Sequence, residues 1–458
     1  MAKPQPSPTQ PPSPDAGEQR LRQDLPAIVQ AALREVDPAQ AVRNHLHREG
    51  NFLEVDGRHY DLTRFRRVFV VGGGKAGAPM AAAVEEVLGD RLTGGLVNVK
   101  YGHAGTPTRQ VEILEAGHPI PDAQGEEGAR RMLALAESLG EDDLLICVIS
   151  GGGSALLPVP APGVTLADKQ AITDALLRAG ATINELNAVR KHLSAIKGGQ
   201  LARAAYPATV IACLLSDVVG NPLDIIASGP TTPDTNTYDD ALAVLRRHGL
   251  LDKAPPAVLD RLRRGAAGEL PETPKPGDPI FQRVQNVVVA DNAAAAQAAV
   301  RQAQHLGYHT LLLSTYVEGE AREVARVFAA FGKEIARHGR PLPRPACLVA
   351  GGETVVTVRG EGKGGRNQEL ALAAALALEG WEGVLVVGLA TDGTDGPTDS
   401  AGAIASGTTV ARARAQGLDP EDYLERNDSY HFFKALGDGL FLGPTQTNVN
   451  DLIFVMVA

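Results

Sequence analysis

The residues best suited to chemistry lie in glycine-rich turns that directly follow short apolar runs. Gly72-Gly73-Gly74-Lys75-Ala76-Gly77 matches G-x-G-x-x-G and follows VFVV. Such a turn at a strand end presents unpaired amides to an anion, and Lys75 adds an ammonium group. The second half of a dinucleotide fingerprint is missing. The next apolar run, LVNVK, ends in Asn98 and Lys100, with no carboxylate for a ribose hydroxyl. A P-loop is also excluded, because Ala76 stands where a magnesium-holding Ser or Thr would follow the lysine. Two readings remain: an anion-binding turn carrying one lysine, or a tight turn with a solvated lysine.

Ser150-Gly151-Gly152-Gly153-Ser154 follows LLICVI and could wrap a phosphate or carboxylate with amides and two hydroxyls. Neither serine lies in G-x-S-x-G and no His/Asp pair stands beside it, which argues against hydrolase chemistry. In LLSDVVGNPLDIIASGPT, Asp217 sits at a strand end and Asn221 at a helix start. Asp217 suits a metal, a hydroxyl or an N-cap equally well. Lys191, His192 and Lys197 fall on one predicted helix, either as positive charge at the site or as a solvated face.

The C-terminal part adds Glu353 in AGGETVVTV, then a flexible glycine loop from Gly360 that feeds a helix through Arg366 and Asn367. A fixed guanidinium on a glycine hinge suits the charge that develops in phosphoryl transfer; a surface ion pair is the alternative. Asp392 and Asp395 place two carboxylates on one turn, suited to Mg²⁺ or sugar hydroxyls. An EF-hand is excluded, because its ligand series and closing glutamate are absent. Asn448, Asn450 and Asp451 form a further polar turn.

The elements that must position these residues follow from pattern. Short β-branched runs alternate with helical segments of ten or more residues, the signature of α/β layers with a parallel sheet. Four prolines between Pro271 and Gln282 interrupt the periodicity. The expected organisation is a disordered Pro-rich tail over 1–20, an N-terminal α/β domain over 21–270, a linker over 271–283 and a second α/β domain over 284–458. A length of 458 residues accommodates this, at roughly 150 residues per domain. Glycine, at 50 residues or about 11% of the chain, exceeds the usual figure of about 7%.

Composition narrows the partners. Lys+Arg 44 against Asp+Glu 54 leaves a net charge of −10, which disfavours nucleic acid and anionic membranes. Cys147, Cys213 and Cys347 are widely spaced within apolar runs, as expected of buried reduced thiols in a cytoplasmic protein. No signal-peptide core and no membrane span is visible.

Taken together, VVGGGKAG, ISGGGSALLP, NAVRKHLSAIKGG, LLSDVVGNPLDIIASGPT, GGETVVTV, GKGGRNQELALA, ATDGTDGPTDSAGA and GPTQTNVNDL resemble the glycerate 2-kinases of the MOFRL-containing type, from about Asp24 to Val457. The resemblance implies a Rossmann-like N-terminal domain, a C-terminal MOFRL domain and a site in the cleft between them. It also implies transfer of the γ-phosphoryl group of ATP to the 2-hydroxyl of D-glycerate with a divalent metal such as Mg²⁺. Lys75 and Arg366 match the family's proposed catalytic cations. The expected binding residues are Gly72, Gly73, Gly74, Ser150, Gly151, Gly152, Gly153, Ser154, Lys191, His192, Asn221, Glu353, Asn367 and Asn450, with Asp217, Asp392 and Asp395 as unranked metal ligands. A homodimer is left open. The competing activity is an NAD(P)H-dependent hydroxypyruvate reductase, a label some family members have carried; it accounts for the first turn alone. A non-catalytic sensor of hydroxy acids is the third reading.

Overall fold

A computed structural model of the protein describes residues 16–458. The expected tail lies outside the described residues up to residue 15, whereas residues 16–20 already belong to helix α1 (Ala16–Glu35). The chain divides into two compact units. One is Asp37–Asp291, and the other joins the segment ending at Val36 to Asn292–Ala458.

The Asp37–Asp291 unit opens with α2 (Pro38–His45), capped by the Asp37 side chain, with proline in its first turn. A small antiparallel sheet follows, built from β1 (Leu46–Glu49), β2 (Phe52–Val55) and β3 (Arg58–Asp61). The main layer contains β4 (Arg67–Gly73), α3 (Gly77–Leu88), β5 (Gly94–Lys100), β6 (Val111–Ala116), α4 (Ala123–Glu137), β7 (Asp143–Ile149) and α5 (Gly153–Leu156). It continues through α6 (Leu166–Arg178), α7 (Ile183–His192), α8 (Gln200–Ala205), β8 (Thr209–Leu215), α9 (Tyr238–Arg247), α10 (Pro256–Ala266) and β9 (Val284–Ala290). Capping boxes at Thr165/Asp168, Thr182/Glu185 and Thr237/Asp240 start α6, α7 and α9.

The strands pair in parallel in the order β6-β5-β4-β7-β8-β9. Counted from β4 this is the Rossmann order 3-2-1-4-5-6. Its switch point falls between β4 and β7, where the loops after the strand ends leave a crevice for ligands. Every residue of β7 (DLLICVI) is buried, as a strand covered on both faces requires.

One expected boundary is corrected. The prolines of 271–283 lie in the crossover to β9, and β9 pairs with β8, so the first unit runs to Asp291. Proline-rich composition is common to linkers and to long connections within a domain, and so did not distinguish them.

The second unit contains α1, α11 (Asn292–His305), β10 (His309–Glu320), α12 (Ala321–His338), β11 (Ala346–Val355), α13 (Arg366–Ala377), β12 (Val384–Ala390) and β13 (Gly402–Ser406). It is completed by α14 (Thr409–Ala415), α15 (Pro420–Glu425), α16 (Ser429–Leu436), β14 (Gly439–Leu440) and β15 (Asp451–Val457). The sheet order is β10-β11-β15-β12-β13-β14. Only β10 and β11 run parallel among these pairs. The expected α/β layer is present, but its sheet is mixed. The run TVVTV does not form a separate strand, because β11 passes straight through Gly351-Gly352 to Val355. A Cβ on Gly351 would lie 1.7 Å from Asn292 Oδ1, so this glycine lets α11 approach the strand.

The fully buried β15 lies antiparallel between β11 and β12. Its first residue, Asp451, is thereby set beside Gly352 and Ala390, at the carboxyl ends of both neighbours. Among the described residues no helix is long and apolar enough to cross a membrane.

Candidate active site

At the switch point of the parallel sheet the first two glycine turns pack directly on each other. Gly74 N donates to Asn98 O (3.1 Å), Lys75 N to Gly151 O (2.9 Å) and Ala76 N to the Ser150 hydroxyl (3.0 Å). A Cβ on Gly74 would fall 2.1 Å from Ser150 Oγ. Gly72, Gly73 and Gly74 therefore permit close packing, and the amides after the strand are already used. This corrects the reading of that turn as an anion cradle and removes the basis for a dinucleotide there. Asn98, at the end of β5, is fully buried and donates to Gly125 O and Leu156 O, out of reach of a ribose.

What the first turn does offer is Lys75, whose ammonium has no hydrogen-bond or ion-pair partner among the described residues. The second turn retains its donors: the amides of Gly151, Gly152 and Ser154 make no hydrogen bond to the described residues. Gly152 adopts φ +86°, and a Cβ there would meet the His118 ring at 2.9 Å and Lys75 Cγ at 3.5 Å. Asp217, at the end of β8, closes the other side, since a Cβ on Gly151 would fall 2.2 Å from its Oδ2.

His118 is a site residue the sequence reading missed. It follows β6 in the segment AGHPIPD, a strand-end position like those of the glycine turns, but it carries no recognisable motif. Burial, and then the charges of Lys75, Lys100 and His103, lower its pKa to about 4, so the imidazole is neutral at pH 7. His103 in turn pairs through Nδ1 with Lys75 O (3.0 Å). Lys75, Lys100 and His103 are the basic groups acting on His118, and with the free amides of the second turn they suit an anion, while Asp217 borders Gly151.

Other expected residues turn inward. Lys191 is fully buried between Asp224 (3.1 Å) and Asp234 (3.2 Å). His192 pairs with Ala188 O and Glu272. A buried ammonium demands such partners, and both side chains are engaged inside the fold. Asn221 lies in a turn at φ +54° instead of at a helix start, and its amide donates to Asp291 (2.5 Å). Ser154 Oγ lies 2.8 Å from Ser228 Oγ, which in turn donates to Asn187 Oδ1 (2.9 Å).

In the second unit, Arg366 begins α13 and is clamped on two sides. Nε and Nη2 donate to Asp451 (2.5 and 3.0 Å), and Nη1 donates to Glu353 Oε1 (2.7 Å). Asn450 Nδ2 holds the other Glu353 oxygen at 2.8 Å. Burial alone would lower the Arg366 pKa, but hydrogen bonding to Asp451 and the surrounding carboxylates raise it, so the charge is permanent. Burial pushes the Asp451 carboxyl up, against the pull of Arg366. The group opens on a depression of about 740 Å³ lined by Glu353, Gly364, Arg366, Asp392 and Asn448, among others.

The glycine loop before Arg366 is not a hinge. Asn427 Oδ1 accepts from Arg359 N (2.7 Å) and Gly360 N (3.0 Å), and Asp428 accepts from Lys363 N (3.0 Å). A Cβ on Gly365 would lie 2.3 Å from Asp395, so the loop is fitted closely to its neighbours.

Of the expected metal ligands, Asp395 is already committed. Asp395 is 2% exposed and accepts from the amides of Asn367 (3.1 Å) and Gln368 (2.9 Å) with its two oxygens, which caps α13. Asn367, expected as a binding residue, is also buried, with its side-chain amide on Asp395. Asp392 accepts from Thr394 N and stays partly exposed. Among the described residues no group of three or more His, Cys, Asp or Glu side chains is arranged to hold a metal.

Comparison with known proteins agrees with this architecture. Residues 24–263 match a domain of unknown function, DUF4147, and residues 346–451 match the MOFRL family. The chain is 44% identical to the D-glycerate 2-kinase of Thermotoga maritima, covering 94% of this chain and 97% of that protein. It is 41% identical to the glycerate 2-kinase of Pyrococcus horikoshii, over 94% and 96% of the two chains. The crystal structure of a Thermotoga maritima glycerate kinase superposes with a TM-score of 0.87 at 42% identity, covering 96% of this chain and all of that one. With two family regions in order and this identity along almost its whole length, the chain belongs to the MOFRL-containing glycerate 2-kinase family.

Proposed function

We propose that this protein is a glycerate 2-kinase, transferring the γ-phosphoryl group of ATP to the 2-hydroxyl of D-glycerate. The observation that carries the reading is the convergence, at the switch point, of the unpartnered Lys75 ammonium on a turn with three free amides. Phosphoryl transfer spreads charge over peripheral oxygens, so positioning and fixed positive charge supply most of the catalysis. Lys75 and the Gly151, Gly152 and Ser154 amides receive phosphoryl oxygens in this reading. Arg366, held by Asp451 and Glu353 within its own unit, keeps N–H groups that suit an anionic oxygen.

Mg²⁺ fits as an ion brought by the nucleotide. Its usual set is one or two carboxylates with phosphate oxygens and water. Asp217 in one unit and Asp392 in the other are each partly exposed, and each alone is a carboxylate of the kind such an ion takes, whereas Asp395 is committed to α13. A reductase reading loses support, because the amides a pyrophosphate would need after β4 are occupied.

The test is phosphorus NMR of D-glycerate, ATP and Mg²⁺, alongside hydroxypyruvate with NADH and NADPH. The expected product is 2-phosphoglycerate with equimolar ADP. Lys75→Ala should lower kcat by about 100- to 1,000-fold, the scale for losing one transition-state donor. Nicotinamide oxidation without phosphoryl transfer overturns the reading.

A further inference from the structure

Arg190 stands in the last turn of α7, three residues after Asn187 and on the same side of the helix. Its side chain is only partly exposed, yet among the described residues nothing hydrogen-bonds or ion-pairs with it. No carboxylate answers its charge: burial is the whole cause of its lowered pKa.

The basic groups around it are occupied. Lys169 Nζ donates to Pro158 O (2.8 Å) and Val159 O (3.2 Å). Lys197 Nζ donates to Ser154 O and Leu157 O, both at 2.8 Å. Both lysines thus hold the 154–159 segment, and burial lowers their proton affinity. The chain of contacts Ser154–Ser228–Asn187 joins that segment to the helix carrying Arg190. Asn187 Nδ2, on a residue 2% exposed, is a buried donor with no partner among the described residues.

A half-buried guanidinium without a counter-charge bears a desolvation cost that a bound anion would offset. The planar fork of a guanidinium matches a carboxylate in two-point contact. We infer that Arg190 binds the carboxylate of the hydroxy-acid substrate and so selects acids over uncharged polyols. This rests on the phosphoryl-transfer reading, which gives the phosphoryl group to Lys75 and leaves the Ser154 end of the segment for the acceptor.

The test compares wild type with Arg190→Ala and Arg190→Lys, using D-glycerate and glycerol as acceptors and calorimetry of D-glycerate binding. Arg190→Ala should raise the KM for glycerate by about 10- to 100-fold, the scale of a charged hydrogen bond, with kcat and the KM for ATP within about threefold. Arg190→Lys should recover part of the loss, and turnover of glycerol should be unchanged. A glycerate KM within twofold of wild type overturns the assignment. So does a rise in the KM for ATP instead, which would put a nucleotide phosphate on Arg190. If wild type transfers no phosphoryl group, the kinase reading fails by itself. Calorimetry then decides on Arg190: binding lost in Arg190→Ala supports it, and equal binding overturns it. Should Arg190→Ala not fold, Arg190→Lys and Arg190→Gln carry the same comparison.

Discussion

At the scale of single residues, the unit around β4 and β7 is organised by which donors are already used. His118 shows the electrostatic result. Its pKa of about 4 lies below the ordinary 6.5 because of burial and three nearby basic groups. Between those two values the unfolded chain binds a proton that the folded chain does not, so the His118 contribution to stability falls as pH drops from about 6.5 to 4. Histidine NMR titration should find this resonance near pH 4, and His118→Gln should flatten the acid limb of stability against pH. Adding ATP should move the titration upward, since a bound anion favours imidazolium. A value near 6.5 with no response to nucleotide would remove His118 from the site. The sequence exposed Lys75, Ser154 and Arg366 because each stands in a glycine motif. It hid His118 and Arg190, and showed Asp451 only as part of a polar turn without its partner Arg366, because their importance comes from what surrounds them in space.

At the scale of elements, the parallel layer was legible because β4, β7 and β8 are continuous apolar runs followed by helices. The β1–β3 sheet was not, since its four-residue strands are largely charged or exposed. Nor was β15, because an apolar run does not reveal which strands it will join or in which direction. The TDGTDG turn shows the same limit: two aspartates that look alike in sequence act differently once α13 begins beside one of them. Asp395→Ala should lower stability by roughly 1–3 kcal/mol by orphaning two buried amides, with Asp395→Asn costing less because one acceptor oxygen survives. Urea denaturation measures this. Unchanged stability would return Asp395 to the list of candidate ligands.

At the scale of the whole molecule, the sequence located a change of domain but misjudged its path. The composition marked prolines, while the fold places β9 in the first unit and α1 in the second. Leu21, Leu25, Ile28, Val29 and Ala32 of α1 are buried, and the helix packs on α11. Each large side chain among them contributes about 1.5–3 kcal/mol by burial. Removing residues 1–36 should therefore weaken the 292–458 unit and spare the β4–β9 sheet. Hydrogen exchange should show faster exchange in α11 and β11, with β7 and β8 unchanged; the reverse pattern would contradict the assignment of α1.

The route of the chain also sets an order of events during synthesis. At about 5–20 residues per second, α1 leaves the ribosome roughly 13–50 s before residues 37–291 are complete and α11 begins to appear. Its apolar face is unmatched throughout that interval. β10–β11 and β12–β14 likewise cannot become one sheet until β15 has emerged, and Arg366 has no Asp451 to fix it before then. The second unit is thus a late assembly by construction, and a nascent chain stopped short of β15 carries a finished Lys75 turn but no anchored arginine.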